Sequence, residues 1–293
     1  MKNVKLNKAK KEKNDEFYTR YEDIEKEVIN YKNQLKDKII YCNCDNPEWS
    51  NFYNYFYNNF NELGIKKLIT THFKNSDVST YKLEVFKDNN DELVSIKTNL
   101  LGDGSFKSDE CIEILKEADI VITNPPFSLF REFITLLKNY DKKFLIIGSL
   151  IITQPIFKFY KNNELWYGIN QVINFTKPNN EIKKFGNIGW YTNLKHNKNI
   201  EYLQLSKEYD DTYIKYDNYD AINVDRVKNI PKEYKGLIGV PISFLNKFNS
   251  NQFEIIELFN PFIQGKEIFK RIIIRNKLLS ENNLISNSIL KSA

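Results

Sequence analysis

Residues 119–130 read DIVITNPPFSLF, and this stretch decides the fold class. Its first part, 119–123, is apolar at its centre, which is typical of a strand buried on both faces of a parallel sheet. The next part, 124–127, contains two prolines that cannot extend a strand, and Ser128 is a suitable N-cap for a helix. Ligands of open α/β sheets bind at the carboxyl ends of strands. The stretch therefore predicts a buried strand, a turn at a candidate site, and a helix.

Apolar runs of strand length alternate with segments of helix length on both sides of this stretch. Further strands are predicted at 38–42, 67–71 and 143–148, and helices at 21–35, 50–63, 108–118 and 128–140. Such alternation is typical of βαβ units around a parallel sheet. We therefore expect a doubly wound α/β sheet over residues 1–150, with shorter strands and asparagine-rich turns beyond Gln154.

The size and charge of the chain limit the classes of protein. Its 293 residues suffice for one core with a smaller appended unit. A net charge of +5 is compatible with nucleic-acid binding without requiring it. No run approaches the roughly 18 apolar residues that span a membrane, and residues 1–14 lack a signal core. We therefore expect a cytoplasmic protein, with 1–14 as a flexible basic arm that is either solvated or bound to phosphates.

Cysteines and histidines are too few and too scattered for a metal site. The three cysteines Cys42, Cys44 and Cys111 contain no second pair, and His72 and His196 lack the spacing of zinc ligands. We expect no metal, no disulfide framework and no chemistry that depends on imidazole.

The turn at 124–127 is either a strand-to-helix connection alone, since asparagine and proline are common turn formers, or a site loop. Its position directly after a buried strand favours the site. It resembles the Asn-Pro-Pro-Phe/Tyr motif of amino methyltransferases. The wider chain resembles the EcoRI-type family of adenine-specific DNA methyltransferases, in segments that follow the same order: NDEFYTR, YCNCDNPEWSNF, LGDGSFKSDECIE, DIVITNPPFSLFREF, KFLIIG, YDNYDAINV and GVPISFL.

The resemblance implies a Rossmann-like methyltransferase core with a seven-stranded, mostly parallel sheet over residues 15–198. Residues 199–293 are then a smaller C-terminal segment for DNA recognition. The implied cofactor is S-adenosylmethionine, and the implied partner is duplex DNA, with no membrane. We further expect a monomer, and a cognate restriction endonuclease that acts on the same DNA site.

The resemblance assigns the chemistry to Asn124, Pro125, Pro126 and Phe127. The amine of adenine is a poor nucleophile because its lone pair is delocalised into the ring. The Asn124 side-chain oxygen and the Pro125 carbonyl each accept one amine hydrogen, which favours a pyramidal nitrogen. Phe127 offers a face on which a flipped-out base can stack.

Two segments are implied to bind the cofactor together with Asn124. Phe17, Tyr18 and Thr19 match the N-terminal segment that contacts its methionine part, although a hydrophobic staple ahead of a helix is the alternative. The second segment follows the first predicted strand and comprises Cys42, Asn43, Cys44 and Asp45. It lacks the glycines that are usual there. Asp45 is either a partner of the methionine ammonium or a turn former, and both interpretations stay open.

The remaining candidates each have a structural alternative. The acid that usually binds the ribose is missing at 70–72, and Asp103, between two glycines, is expected either to bind the cofactor adenine or to form a turn. Trp190 is either a second aromatic wall for the flipped base or a core residue. Arg271 and Arg275 either contact DNA or lie on a solvated face. The same two alternatives apply to the charge-rich segment 228–235.

The predicted function is therefore a site-specific DNA adenine methyltransferase that acts on the N6 amine, weighed against three alternatives. An RNA base-amine methyltransferase shares the Asn-Pro-Pro-Phe motif, and a protein-glutamine methyltransferase is more distant. A catalytically silent DNA-binding module on the same scaffold is favoured only by the missing ribose acid.

Overall fold

A computed structural model describes residues 18–48, 50–73, 80–172, 174–176, 181–197 and 201–279. The predicted basic arm at 1–14 and the candidate Phe17 lie outside the described residues. The chain divides into two compact units. The first comprises the chain up to Ile151 together with Tyr167–Lys195, and the second comprises Ile152–Trp166 together with the chain from His196 onward.

The described helices and strands of the first unit begin with a short strand and a helix. The helices are α1 Tyr21–Val28, α2 Lys32–Leu35, α3 Asn51–Asn58, α4 Phe60–Leu63, α5 Asp109–Glu117 and α6 Phe130–Asn139, with 3-10 turns at Ile29–Tyr31 and Phe127–Leu129. The strands are β1 Tyr18–Thr19, β2 Ile39–Cys42, β3 Lys67–Thr71, β4 Tyr81–Lys87, β5 Leu93–Asn99, β6 Ile120–Thr123, β7 Lys143–Ser149, β8 Trp166–Gln171, β9 Asn174–Thr176, β10 Ile182–Lys184 and β11 Ile188–Thr192.

An eight-stranded sheet with the order β5-β4-β3-β2-β6-β7-β11-β8 forms the centre of this unit. The α/β class is confirmed, and β3, β2, β6 and β7 are parallel to one another. The expectation of seven mostly parallel strands is corrected, because β4, β5 and β11 pair antiparallel to their neighbours. β4 and β5 form a hairpin whose turn places Asp91 in the left-handed region, with φ of 64°.

Two serines fix the residues at which helices begin. The Ser50 hydroxyl accepts a hydrogen bond from the Phe52 N–H at the start of α3, and Ser108 accepts one from Cys111 at the start of α5. These caps satisfy backbone donors that a helix leaves unpaired.

Ser128 does not cap the helix that follows the Asn-Pro-Pro-Phe turn, which corrects the expectation. A 3-10 turn occupies Phe127–Leu129, and the Leu129 N–H donates to the Pro126 carbonyl at 2.9 Å. The helix α6 then begins at Phe130 with no side-chain cap. The two prolines hold the backbone extended before this turn, so the helix starts two residues later than predicted.

The strand order reverses at β2, and this reversal positions the site. The chain runs from β2 outward to β3, β4 and β5, and then returns to the other side of β2 with β6. A crevice opens outside the carboxyl ends of the strands where such a reversal occurs. The segments after β2 and β6 therefore flank the same crevice.

The described part of the second unit contains a helix and short strands. They are α7 Gln154–Lys161, β12 Ile222–Asn223, β13 Ile238–Pro241, β14 Phe253–Phe259, β15 Phe262–Ile263, β16 Lys266–Glu267 and β17 Arg271–Asn276, with 3-10 turns at Val227–Asn229, Ile242–Lys247 and Lys277–Leu279. Four strands form a sheet with the order β12-β13-β17-β14 around the buried residues Ile272, Ile273 and Ile274. The domain boundary at 198 stays a prediction, although Ile152–Trp166 packs with this unit.

Candidate active site

A cavity of about 400 Å³ opens at the carboxyl ends of β2, β3 and β6. This volume lies in the range of small-molecule sites. The cavity brings together predicted site residues from three parts of the sequence: Tyr18, Thr19, Asn43, Cys44, Asp45, Asn124, Pro125, Pro126 and Phe127. Residues far apart in sequence converge here because the parallel strands end at the same edge of the sheet.

Asp45 connects the segment after β2 to the segment after β6. Its carboxylate accepts hydrogen bonds from the hydroxyls of Thr123 at 2.5 Å and Ser50 at 2.9 Å. It also accepts one from the backbone N–H of Asn124. The Asp45 N–H donates to the Thr71 carbonyl at 3.1 Å, which ties the same residue to the end of β3. Asp45 therefore holds the first residue of the Asn-Pro-Pro-Phe turn by its backbone.

The electrostatics at Asp45 favour a positively charged ligand. Asp45 is 8% exposed, and burial raises the pKa of its carboxyl to about 6, while the hydrogen bonds from Thr123, Ser50 and Asn124 oppose that rise. These three partners are uncharged. A nearby cation would stabilise the buried carboxylate more strongly than they do. A ligand ammonium beside Asp45 would supply it.

Phe127 has an aromatic surrounding that extends away from the cavity. Its ring contacts the rings of Phe175 and Phe185 edge to face, with centroids 6.0 Å and 6.2 Å apart. Phe175 and Phe185 are 5.5 Å from each other. Edge-to-face packing of this kind fixes ring orientation, and the Phe127 side chain remains only partly buried where it lines the cavity.

Two buried polar atoms at the cavity residues have no hydrogen-bond partner within the described chain. They are Thr19 Oγ1 and His72 Nδ1. Burial lowers the pKa of His72, so its ring is neutral at pH 7 and keeps an acceptor nitrogen. An unmet buried donor or acceptor is costly, and a polar cofactor would satisfy such atoms. With the Asp45 carboxylate, they fit a cofactor that carries hydroxyls and an ammonium.

Five predicted residues that the structure describes do not line the cavity, and three of them, Cys42, Trp190 and Asp103, belong to the first unit. Cys42 is fully buried in the core, and Trp190 is 1% exposed, where its ring packs on Phe52 at 5.9 Å. The structure thus favours the core interpretation of Trp190, because an aromatic wall must expose a face. Asp103 is exposed and accepts a hydrogen bond from the Ser105 N–H at 2.8 Å, as a turn-forming aspartate does.

The two arginines on β17 in the second unit differ in their surroundings. Arg271 is 8% exposed. It donates to Asp225 at 2.8 Å and to the Asn223 side-chain oxygen at 3.2 Å. Arg275 is exposed, and its ion pair with Glu254 is 3.4 Å long. Of these two arginines, Arg275 is the one accessible to a partner without rearrangement.

Several lining residues were missed at the level of sequence, and one of them had a usable signal. His72, Ser50, Ser105 and Phe106 line the cavity. So does Gly104, which has φ of 70°, and a Cβ there would lie 2.1 Å from the backbone oxygen of His72. The Gly-Asp-Gly pattern signalled a tight turn, but its close approach to the end of β3 is a tertiary contact.

Two negative findings apply to the described part of the chain. No group of three or more His, Cys, Asp or Glu side chains is placed to hold a metal ion there. Among the same residues, no helix has the length and apolar character needed to cross a bilayer.

The sheet and the cavity define an α/β protein with a crevice at the reversal of strand order, and the Asn-Pro-Pro-Phe turn lines that crevice. The sequence profile described as "Adenine-specific methyltransferase EcoRI" matches residues 5–287. The chain belongs to this family, and it is a DNA methyltransferase.

Three curated relatives are similar over nearly their whole lengths. The Type II methyltransferase M.EcoRI of Escherichia coli is 42% identical, with 95% of this chain and 98% of that protein covered. M.MpnI of Mycoplasma pneumoniae is 42% identical, with 93% and 98% covered. M.MgeORF184P of Mycoplasma genitalium is 41% identical, with 88% and 87% covered. No solved structure matches the chain.

Proposed function

We propose that the chain transfers a methyl group from S-adenosylmethionine to the N6 amine of an adenine that is rotated out of duplex DNA. The observation that carries the proposal is the position of Asn124, which lines the cavity and whose backbone N–H donates to the buried carboxylate of Asp45. A site loop that is fixed in this way is preorganised for polar contacts to a substrate. We also propose that the protein acts in the cytoplasm, because its proposed substrate is duplex DNA.

S-adenosylmethionine supplies an electrophilic methyl group on a sulfonium. The residues of the chain orient the amine that attacks it. The Asn124 side-chain oxygen and the Pro125 carbonyl accept the two amine hydrogens, so the nitrogen lone pair is directed at the methyl carbon. With S-adenosylmethionine bound, the nitrogen would bond to the methyl carbon as the carbon–sulfur bond breaks, S-adenosylhomocysteine would leave, and one amine proton would pass to solvent. Pro125 and Pro126 have no amide N–H to compete for these acceptors.

The cofactor is held by the polar residues of the cavity. The Asp45 carboxylate would pair with the ammonium of the methionine part of the cofactor. Thr19, on strand β1, lines the same cavity. The neutral ring of His72 lies at the end of β3, where a nucleotide ribose is commonly bound in doubly wound folds. The chain thus offers the imidazole of His72 and the hydroxyl of Thr19 to the cofactor, whereas a carboxylate usually binds the ribose.

Transfer of tritium from labelled S-adenosylmethionine to nucleic acid tests the function. We expect incorporation into mixed-sequence duplex DNA in the presence of a chelator, with the label recovered as N6-methyladenine and none in RNA or protein of the same preparation. Labelled RNA would favour an RNA base-amine methyltransferase. Folded protein that binds DNA without any transfer would favour a silent binding module.

We also propose that the chain acts as a monomer, which light scattering of the purified protein tests. A cognate endonuclease remains a prediction. It is tested by whether DNA methylated by this chain resists cleavage by a nuclease encoded beside it.

A further inference from the structure

The three-stranded sheet β1-β9-β10 leads from the cavity to an exposed strand edge. β1 carries the cavity residues Tyr18 and Thr19, and the register pairs Thr19 with Phe175 and Phe175 with Lys183 across the sheet. Residues directly opposite one another share a face of the sheet. Lys183 is thus in the same row as a cavity residue.

The outer strand of this sheet is basic and exposed. β10 pairs with β9 on one side only, within the described chain. Lys183 and Lys184 are exposed, and Ile182 is 63% exposed. Glu181 precedes them as the nearest acid in sequence and is also exposed. Lysines on an open strand edge oppose pairing with another strand, and their positive charge attracts an anionic partner.

Phe185 connects this strand to the catalytic turn. Its ring lies 6.2 Å from that of Phe127, and the Lys183 ammonium lies 5.1 Å from the Phe185 centroid. Only one ring therefore separates a lysine ammonium from the residue proposed to stack on the target base. A flipped nucleotide stays joined to both of its phosphates, so these phosphates must pass close to Phe127.

We propose that residues 182–185, the β10 edge, contact the DNA phosphates that flank the flipped adenine. The inference rests on the proposed function and adds the surface that holds the target strand beside the site. Lys183 and Lys184 neutralise phosphates, and Phe185 fixes the edge against Phe127. Such contacts position the strand without reading its sequence.

The salt dependence of DNA binding tests this surface. Neutralising one phosphate contributes about 0.9 to the slope of log affinity against log salt. Lys183→Ala combined with Lys184→Ala should lower the slope by up to about 1.8 and weaken binding up to about tenfold per contact near 0.1 M salt. Affinity for S-adenosylmethionine, measured by calorimetry on the same protein, should not change.

A matched control removes the same charge at the amino ends of β2 and β3, whereas the cavity lies at their carboxyl ends. Lys38 and Lys66 are exposed and precede β2 and β3, so Lys38→Ala combined with Lys66→Ala should keep the wild-type slope. Lys183→Arg combined with Lys184→Arg should keep it as well, because charge is retained. Equal slopes for the β10 and control variants would overturn the inference while wild-type methylation still stands. A wild-type protein that neither binds nor methylates DNA would instead remove the proposed function itself.

Discussion

Asn124 is the side chain on which the chemistry depends most directly. Asn124→Ala removes one acceptor for the adenine amine, while the backbone N–H that Asp45 holds is kept. We expect turnover to fall by about tenfold to a thousandfold, the scale for loss of one preorganised polar contact. Single-turnover methylation and calorimetric titration of the cofactor provide the measurements. Near wild-type turnover with unchanged cofactor affinity would show that the turn is structural only.

Phe127 is predicted to stack on the flipped base with the part of its ring that lines the cavity. A fluorescent analogue in place of the target adenine should brighten on binding, because an unstacked base is quenched less. Phe127→Ala should reduce this signal, with a loss of roughly 1–3 kcal/mol for the flipped state, and Phe127→Tyr should keep most of it. If the residue only packs on Phe175 and Phe185, Phe127→Ala lowers the melting temperature while emission per folded molecule stays unchanged.

The strands β2 and β6 are coupled through Asp45, and this coupling has a pH dependence. The folded pKa of about 6 lies above the ordinary value of 3.8, so ionising the carboxyl opposes folding. The penalty is absent below about pH 4, grows as pH rises, and reaches about 3 kcal/mol above pH 6. A bound ammonium offsets it, because it favours the ionised form.

Cofactor affinity should therefore increase as pH rises from 5 to about 6.5 and then level off. Asp45→Asn should bind more weakly and lose this dependence, because its side chain does not ionise. Calorimetric titration across this pH range measures both. A wild-type affinity that is flat with pH would exclude the proposed pairing between Asp45 and the ammonium.

The loop between β5 and α5 depends on Gly104. Gly104→Ala places a methyl group 2.1 Å from the His72 carbonyl in a backbone with φ of 70°, so both contact and conformation are unfavourable. We expect a loss of at least about 1–3 kcal/mol, and weaker cofactor binding because Ser105 and Phe106 shift. Thermal melting compares this variant with Gly186→Ala, whose added Cβ has no atom within 4 Å. Equal melting temperatures would contradict this account.

The elements that could be predicted are those whose burial shows in the sequence as a short run of apolar residues. The parallel strands β2, β3, β6 and β7 lie within a residue or two of the predicted runs. The hairpin β4–β5 was missed because most of its side chains are at least partly exposed. Such a strand carries a weaker apolar signal.

The predicted site residues line the cavity where a motif coincides with the end of a strand, as at Asn124 and Asp45, and their roles stay predictions. Trp190 could be either wall or core, because the sequence does not say which face of β11 packs on Phe52. His72 was passed over because its isolated imidazole matched no spacing rule. Its importance depends on β3 ending beside β2, which is a tertiary contact.

Across the whole chain, we expect the first unit to perform the chemistry and the second to recognise DNA. Variants of the two arginines of β17 distinguish an effect on DNA binding from an effect on the stability of the fold. Arg275→Ala removes an exposed cation, so DNA affinity should fall and the salt slope should change by about 1, with no change in melting temperature. Arg271→Ala removes a buried side chain and its hydrogen bonds to Asn223 and Asp225. Because the Asp225 side chain is 71% exposed and water can solvate it, we expect a loss of about 1–3 kcal/mol and a lower melting temperature.

Thermal melting and salt-dependent DNA binding should be measured on both variants, with cofactor affinity as the shared control. Cofactor affinity should stay at the wild-type value for Arg275→Ala, because its contacts lie outside the unit that contains the cavity. If Arg275→Ala binds and methylates DNA like the wild type at every salt concentration, this face of the second unit does not contact DNA. The affinity for DNA would then have to come from other residues of the chain, of which the β10 edge is the first to test.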